Sequence, residues 1–193
     1  MEKTAPPRPA LEPAQYAALR SRTLVLVGMM GAGKSSVGKR LAAALDLPFR
    51  DADEEIERAA GRTISEIFAS RGEAEFREGE RRVIARLLDE APHVLATGGG
   101  AFMNAATREL VKNKAFSIWL KADPEVLARR VGRKDTRPLL KGKDPRQVLT
   151  ELLEARGPTY GEADLIVESF DGPHQGTVET IIAALKDRLE TQA

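Results

Sequence analysis

From Thr23 onward the chain alternates short apolar runs with longer segments whose apolar residues recur at helical spacing. The runs are Thr-Leu-Val-Leu-Val (23–27), 93–97, Ala-Phe-Ser-Ile-Trp-Leu (115–120) and 164–168. Pro48-Phe49-Arg50-Asp51 adds a short strand that ends in an acid. Uninterrupted apolar runs of this length mark strands buried on both faces of a parallel sheet. Between them, Val37, Leu41, Ala44 and Leu45 predict a helix over 34–45. A helix over 53–60 stops at Gly61. Thr63-Ile64-Ser65-Glu66 is a capping box that opens the next helix. That helix pauses at Gly72 and resumes to about 90, with Phe76, Val83, Ile84, Leu87 and Leu88 on its apolar side. Asn104 caps a helix to about 112. Asp123, with Pro124 in the first position, caps another that ends near Val131. Segments 145–156 and 175–190 complete the set. Repeated strand–helix units predict an α/β fold, with a parallel sheet covered by helices on both faces and right-handed crossovers.

Residues 1–21 stand outside this rhythm. Pro6, Pro7, Pro9 and Pro13 break early helix, so the extension reads as a frayed tail. The alternative is one short helix, built on Leu11, Tyr16 and Leu19, docked on the domain. Glu2 and Glu12 disfavour a targeting peptide. The rest, 22–193, reads as a single domain.

In a sheet of this kind ligands bind beyond the carboxyl ends of the strands. After the first strand comes Gly28-Met29-Met30-Gly31-Ala32-Gly33-Lys34-Ser35, which matches the phosphate-binding P-loop in its required setting of strand, turn and helix. Its glycines let the backbone approach phosphate, and the helix N-terminus attracts the anion. Lys34 would reach the β- and γ-phosphates, and the Ser35 hydroxyl would ligate Mg²⁺. After the second strand, Asp51 and Asp53 point to the same side of an extended segment. Phosphoryl transfer uses a carboxylate near the metal and a carboxylate that orients or deprotonates the attacking hydroxyl. One acid can serve each role. Gly98-Gly99-Gly100 follows the third strand. Three consecutive glycines are costly in backbone entropy, so something must come close to that backbone; a wall of N–H groups facing a ligand would explain them. One helix past the fourth strand lies a basic segment, 132–143, preceded by Arg130 and carrying Arg133 and Arg137. Such a segment can close over nucleotide phosphates. Arg77 and Arg156 are single helical arginines. His93, His174, Trp119, Met29 and Met30 read as structural.

Composition narrows the partners. The 193 residues are 42% hydrophobic and 31% charged, with a net charge of +1. That balance gives no reason to expect nucleic acid or a membrane surface as partner. The absence of cysteine excludes disulfides, thiolate metal sites and cysteine catalysis. Two histidines argue against a multi-histidine metal centre. No apolar run approaches the ~18 residues of a membrane span, and no secretory leader is evident. A cytoplasmic enzyme is the expectation.

Taken together, these segments resemble the shikimate kinases. The resemblance runs from about Thr23 to Leu189. It rests on the P-loop, Asp51-Ala-Asp, Gly72-Glu-Ala-Glu-Phe-Arg-Glu, Ala96-Thr-Gly-Gly-Gly-Ala, Arg137-Pro-Leu-Leu, and Arg156 with Pro158 and Tyr160. The P-loop alone is shared by many NTPases; the combination and its order are specific. The resemblance implies ATP- and Mg²⁺-dependent phosphorylation of the 3-hydroxyl of shikimate, on the route to chorismate and the aromatic amino acids. It implies a three-layer, nucleoside-monophosphate-kinase-like P-loop kinase fold with sheet order 2-3-1-4-5. A substrate-binding segment would occupy about 53–90 and a lid about 132–143. By the same resemblance Gly31, Ala32, Gly33, Lys34, Ser35, Ser36, Arg130 and Arg137 bind ATP, with Arg130 stacking on adenine. Asp53, Arg77, Gly98, Gly99, Gly100 and Arg156 form the shikimate site, the two arginines holding its carboxylate. Lys34, Asp53 and Arg137 carry the chemistry. Ser35 binds the metal directly and Asp51 through water. A monomer is the family expectation. The departures are the N-terminal extension and Ser36, where threonine is common. From the residues alone the reading is a small-molecule kinase with an anionic acceptor. Another P-loop kinase, for gluconate or a nucleoside monophosphate, is the alternative; a nucleotide-binding module without acceptor chemistry is the remoter one.

Overall fold

The computed structural model of the chain describes residues 12–131 and 144–191. Five strands form one sheet: β1 (Thr23–Val27), β2 (Phe49–Asp51), β3 (Val94–Ala96), β4 (Ala115–Lys121) and β5 (Leu165–Glu168). Their order is β2-β3-β1-β4-β5, and every neighbouring pair is parallel. This is the order expected. The register sets Leu24 of β1 between Val94 and Phe116, and Leu26 between Ala96 and Ile118. β1 is central and buried at all five positions, which is why its sequence shows no polar alternation. The edge strand β5 shows the contrast: Ile166 is 47% exposed.

Helices α2 (Lys34–Leu45), α3 (Ala52–Ala60), α4 (Ile64–Leu88), α5 (Ala105–Lys114), α6 (Pro124–Val131), α7 (Pro145–Tyr160) and α8 (His174–Thr191) flank the sheet. Local chemistry places their ends. The Thr63 and Glu66 side chains satisfy each other's backbone N–H groups at the start of α4. Asn104 accepts from the Thr107 N–H at 3.1 Å and opens α5. Gly72, at φ +80° and ψ 173°, breaks α4 where the sequence pauses. Between β3 and α5, Ala101–Met103 forms a short 3-10 turn. α7 runs past the expected end at 156 and carries Pro158. Tertiary packing explains the extra turn: the fully buried Tyr160 stacks on Trp119, with centroids 5.6 Å apart.

The expected frayed tail is corrected in part. Pro13–Leu19 forms a helix, α1, and Leu19 is only 5% exposed. Gln15 donates to Glu190 of α8 at 3.1 Å, and Arg20 pairs with Asp46 at 3.1 Å. The apolar face of Tyr16 and Leu19 outweighs the prolines because Pro13 sits at the first helical position, where it is tolerated. Residues 132–143, with Arg133 and Arg137, lie outside the described residues.

Among the described residues, two apolar clusters hold the fold. The main core unites the sheet with the flanking helices. A second, small cluster of Ile56, Ile67 and Phe76 sits between α3 and α4. Among the described residues no helix is long and apolar enough to cross a membrane.

Candidate active site

The P-loop grows directly out of the buried β1. Gly33 takes φ +91°, a left-handed conformation that glycine adopts without strain, and α2 starts from it. Lys34 is nearly buried under the loop, and its ammonium donates to the carbonyls of Gly28 (2.8 Å) and Met29 (2.9 Å). Ser35, one residue on, donates its hydroxyl hydrogen to Asp51 Oδ2 at 2.6 Å. Asp51 ends β2 and also caps α3, accepting from the Asp53 N–H at 3.1 Å. One carboxylate therefore joins the P-loop helix to the acidic turn after β2.

The donor set around Ser35 and Asp51 bears on the metal. It is made of oxygens only. Among the described residues no group of three or more histidines, cysteines or acids stands ready to hold an ion. Such a site suits Mg²⁺, which keeps waters and takes further oxygens from a nucleotide.

The three glycines after β3 are where the remaining predicted residues meet. A side chain at Gly98 would sit 2.8 Å from Glu80 Oε1 and 3.0 Å from Asp53 Oδ1. At Gly99 it would meet the Met30 N–H of the P-loop at 3.2 Å, and at Gly100 the Arg77 guanidinium at 2.6–2.8 Å. What comes close to this backbone includes the site's own groups: an acid pair, the nucleotide loop and a cation. Arg156 reaches the same turn from α7 and donates to the Gly99 carbonyl at 3.3 Å. The Tyr160 hydroxyl donates to that carbonyl too. Asp53, Arg77 and Arg156 thus arrive from α3, α4 and α7 and converge on one turn.

Two supporting residues escaped the sequence reading. Glu80, 2% exposed, pairs with Arg77 at 2.8 Å. Its position three residues after Arg77 on one helix face was the available signal. Burial pushes the Glu80 carboxyl above its usual range; Arg77 pulls it back, and the charge of Asp53 adds to the rise. Its Oε1 has no hydrogen-bond partner among the described residues. Tyr160 was visible only as part of a motif. Burial raises its hydroxyl, and neighbouring Arg156 opposes that.

Arg130, on α6, links two loops. Its Nη1 reaches the carbonyls of Gly31 (3.4 Å) and Ala32 (3.5 Å) and the Ser169 hydroxyl (3.2 Å), and its Nη2 donates to the Phe170 carbonyl. Phe170, after β5, is 72% exposed. Ser36, in the first turn of α2, offers its carbonyl to Arg40 at 2.8 Å. Ala32 is buried, and Gly31 stands beside α6 at Leu127 and Val131. Arg137 lies outside the described residues.

Sheet order, P-loop and a facing turn ringed by acids and arginines define a P-loop kinase fold. A sequence model of the shikimate kinases matches residues 30–186. The shikimate kinase of Caulobacter vibrioides (strain NA1000 / CB15N) is 69% identical over 170 residues, covering 88% of this chain and 85% of that one. The chain belongs to the shikimate kinase family, whose members use ATP. The structure of the Acinetobacter baumannii shikimate kinase in complex with shikimate has a TM-score of 0.85 at 38% identity and covers 90% of this chain and 98% of that one. A gluconokinase from Sinorhizobium meliloti has a TM-score of 0.60 at 22% identity over 90% of this chain and 98% of that one. At that identity it shares the fold alone.

Proposed function

We propose that this enzyme transfers the γ-phosphoryl group of ATP to the 3-hydroxyl of shikimate. The observation that carries the reading is the convergence of Asp53, Arg77 and Arg156 on the glycine turn, whose middle residue touches the P-loop. Two guanidiniums brought to one turn suit a carboxylate, which each can bind through paired N–H donors. Arg77 and Arg156 therefore hold the substrate carboxylate, with Gly98, Gly99 and Gly100 as the floor. Glu80 fixes the Arg77 fork from below.

Asp53 accepts the proton of the 3-hydroxyl as that oxygen attacks the γ-phosphorus. The bond from the γ-phosphorus to the β,γ-bridging oxygen breaks, and ADP departs with the electron pair. Lys34 and Arg137 neutralise charge on the transferring group. Gly31 to Ser36 cradle the phosphates through backbone N–H groups and the helix N-terminus. Arg130 ties the loop that bears Phe170 to the nucleotide loop and would stack on the adenine. Ser35 would ligate Mg²⁺ directly and Asp51 through water, and the ion would supply positive charge against the phosphates. Segment 53–90 is the acceptor-binding arm and 132–143 the lid. The enzyme works as a cytoplasmic monomer.

The test is ADP release coupled to a spectrophotometric readout, with shikimate, gluconate and AMP as acceptors. Turnover is expected with shikimate. Turnover with gluconate or AMP in its place would transfer the reading to another small-molecule kinase. ATP binding with no acceptor turned over would leave a nucleotide-binding module.

A further inference from the structure

The Gly99 carbonyl accepts from two side chains of α7. Arg156 Nη1 reaches it at 3.3 Å, longer than the usual N–H···O bond. The Tyr160 hydroxyl is the other donor. That hydroxyl has one proton and two acceptors within reach, the Gly99 carbonyl and Met29 Sδ at 3.8 Å. A thioether is a weak acceptor, so the proton goes to the carbonyl. Burial holds the hydroxyl above its ordinary pKa against the pull of Arg156 and Arg77, and it keeps its proton near neutral pH.

The two donors differ in how firmly they are held. Tyr160 is fully buried, and its ring stacks on Trp119. Arg156 is half-buried, and no carboxylate pairs with it among the described residues. Arg77, the other arginine at this turn, is fixed by Glu80 at 2.8 Å. Arg156 is therefore the cation that can move. Gly99 is itself half-buried, and a carbonyl in that setting that loses its last donor carries a desolvation cost. With Tyr160 in place, Arg156 can leave Gly99 without imposing that cost.

We propose that Tyr160 is a positioning residue that acts through Arg156: its hydroxyl holds the Gly99 carbonyl, which releases the guanidinium to the carboxylate of the acceptor. The exchange gives up one long N–H···O contact and gains a charge-assisted pair. The proposal rests on the reading of Arg156 as a holder of the acceptor carboxylate.

The test measures kcat and both KM values for wild type, Tyr160→Phe, Arg156→Ala and the double variant. Tyr160→Phe keeps the ring against Trp119 and removes only the hydroxyl. Gly99 then depends on Arg156, so KM for shikimate should rise about 5- to 20-fold. kcat and KM for ATP should stay within about twofold of wild type. In the Arg156→Ala background the same change should alter KM for shikimate by less than about twofold, because no guanidinium remains to be released. A merely structural role would weaken both backgrounds alike. A crystal structure of the wild-type chain with shikimate needs no variant. It should keep the Tyr160 hydroxyl on Gly99 and show Arg156 on the carboxylate. The proposal is overturned if Tyr160→Phe leaves KM for shikimate within about twofold of wild type, if its effect is equal in both backgrounds, or if Arg156 stays on Gly99 in the complex. Any of these with wild-type turnover of shikimate intact breaks this proposal alone. A wild-type chain that does not turn over shikimate breaks the kinase reading and this proposal with it.

Discussion

The two sides of the candidate site are built differently. The donor side is one continuous stretch: β1, the glycine-rich loop and the first turn of α2. It rises from the main core, where β1 is buried throughout. The acceptor side is assembled from four separate stretches: α3, α4, the glycine turn and α7. Two of those, α3 and α4, add Ala52, Ile84, Leu87 and Leu88 to the main core but hold their outer parts together through the small cluster of Ile56, Ile67 and Phe76. Elements with few buried apolar contacts open more easily than core strands. A rigid half facing a looser half suits a kinase that must admit and enclose a second substrate. It also separates what each side should control.

The largest effect is expected on the donor side. Lys34→Ala removes a cation held in place at the base of the loop. Preorganised charge of this kind is a large part of phosphoryl transfer, so kcat should fall by about a thousandfold or more. Near-normal kcat would show that the loop alone carries the reaction. On the acceptor side, Arg77→Ala should act through binding. Loss of a charged hydrogen-bonding partner should raise KM for shikimate about 10- to 100-fold, with KM for ATP changed less than about twofold. Equal shifts in both constants would show that the two halves are coupled through the glycine turn. The same variant should also lower Tm, because it leaves Glu80 buried without its partner.

A smaller effect separates the halves by pH. The Glu80 carboxyl is raised above its ordinary value of 4.5. The folded chain therefore keeps that proton to higher pH than the unfolded chain does. Between the two values the folded state binds more protons, and stability falls as pH rises. Below the ordinary value the cost is absent; above the raised value it is fully present. Glu80→Gln removes this slope. Thermal unfolding from mildly acidic to neutral pH should show a difference between wild type and variant that changes across that window. Curves that differ by a constant offset would mean that Glu80 does not titrate there.

The donor half was legible because its signal is local. A P-loop lies within eight consecutive residues, and buried β1 reads as an unbroken apolar run. The sheet order came from family resemblance, since strand neighbours are long-range facts that no local pattern contains. The acceptor half was legible only in pieces. Arg77 and Arg156 are 79 residues apart by number (156 minus 77), and nothing but the fold sets both against Gly99 and Gly100. The triple glycine announced a close approach without saying what approached. Glu80 was hidden because a helical glutamate among many reads as surface. The helix read over 145–156 runs on to Tyr160, because the stacking of Tyr160 on Trp119 is a long-range contact that no local pattern contains.

The smallest effect on activity should come from the face farthest in role from both halves. α1 docks Leu19 into the main core and meets α8 through Gln15 and Glu190. Leu19→Ala removes buried apolar volume at 5% exposure. A buried leucine cut to alanine costs about 2–5 kcal/mol in a core; the end of a short appended helix can relax, so the low end applies. For a chain of this length each kcal/mol lowers Tm by about 2–4 °C. Tm should therefore fall by several degrees, read by calorimetry. kcat and both KM values should stay within about twofold of wild type. That pattern would make the extension a structural clasp independent of the donor–acceptor division. A rise in KM for ATP alone would instead tie α1, through α8, to the loop beside Gly33, and the donor half would then reach farther than the P-loop.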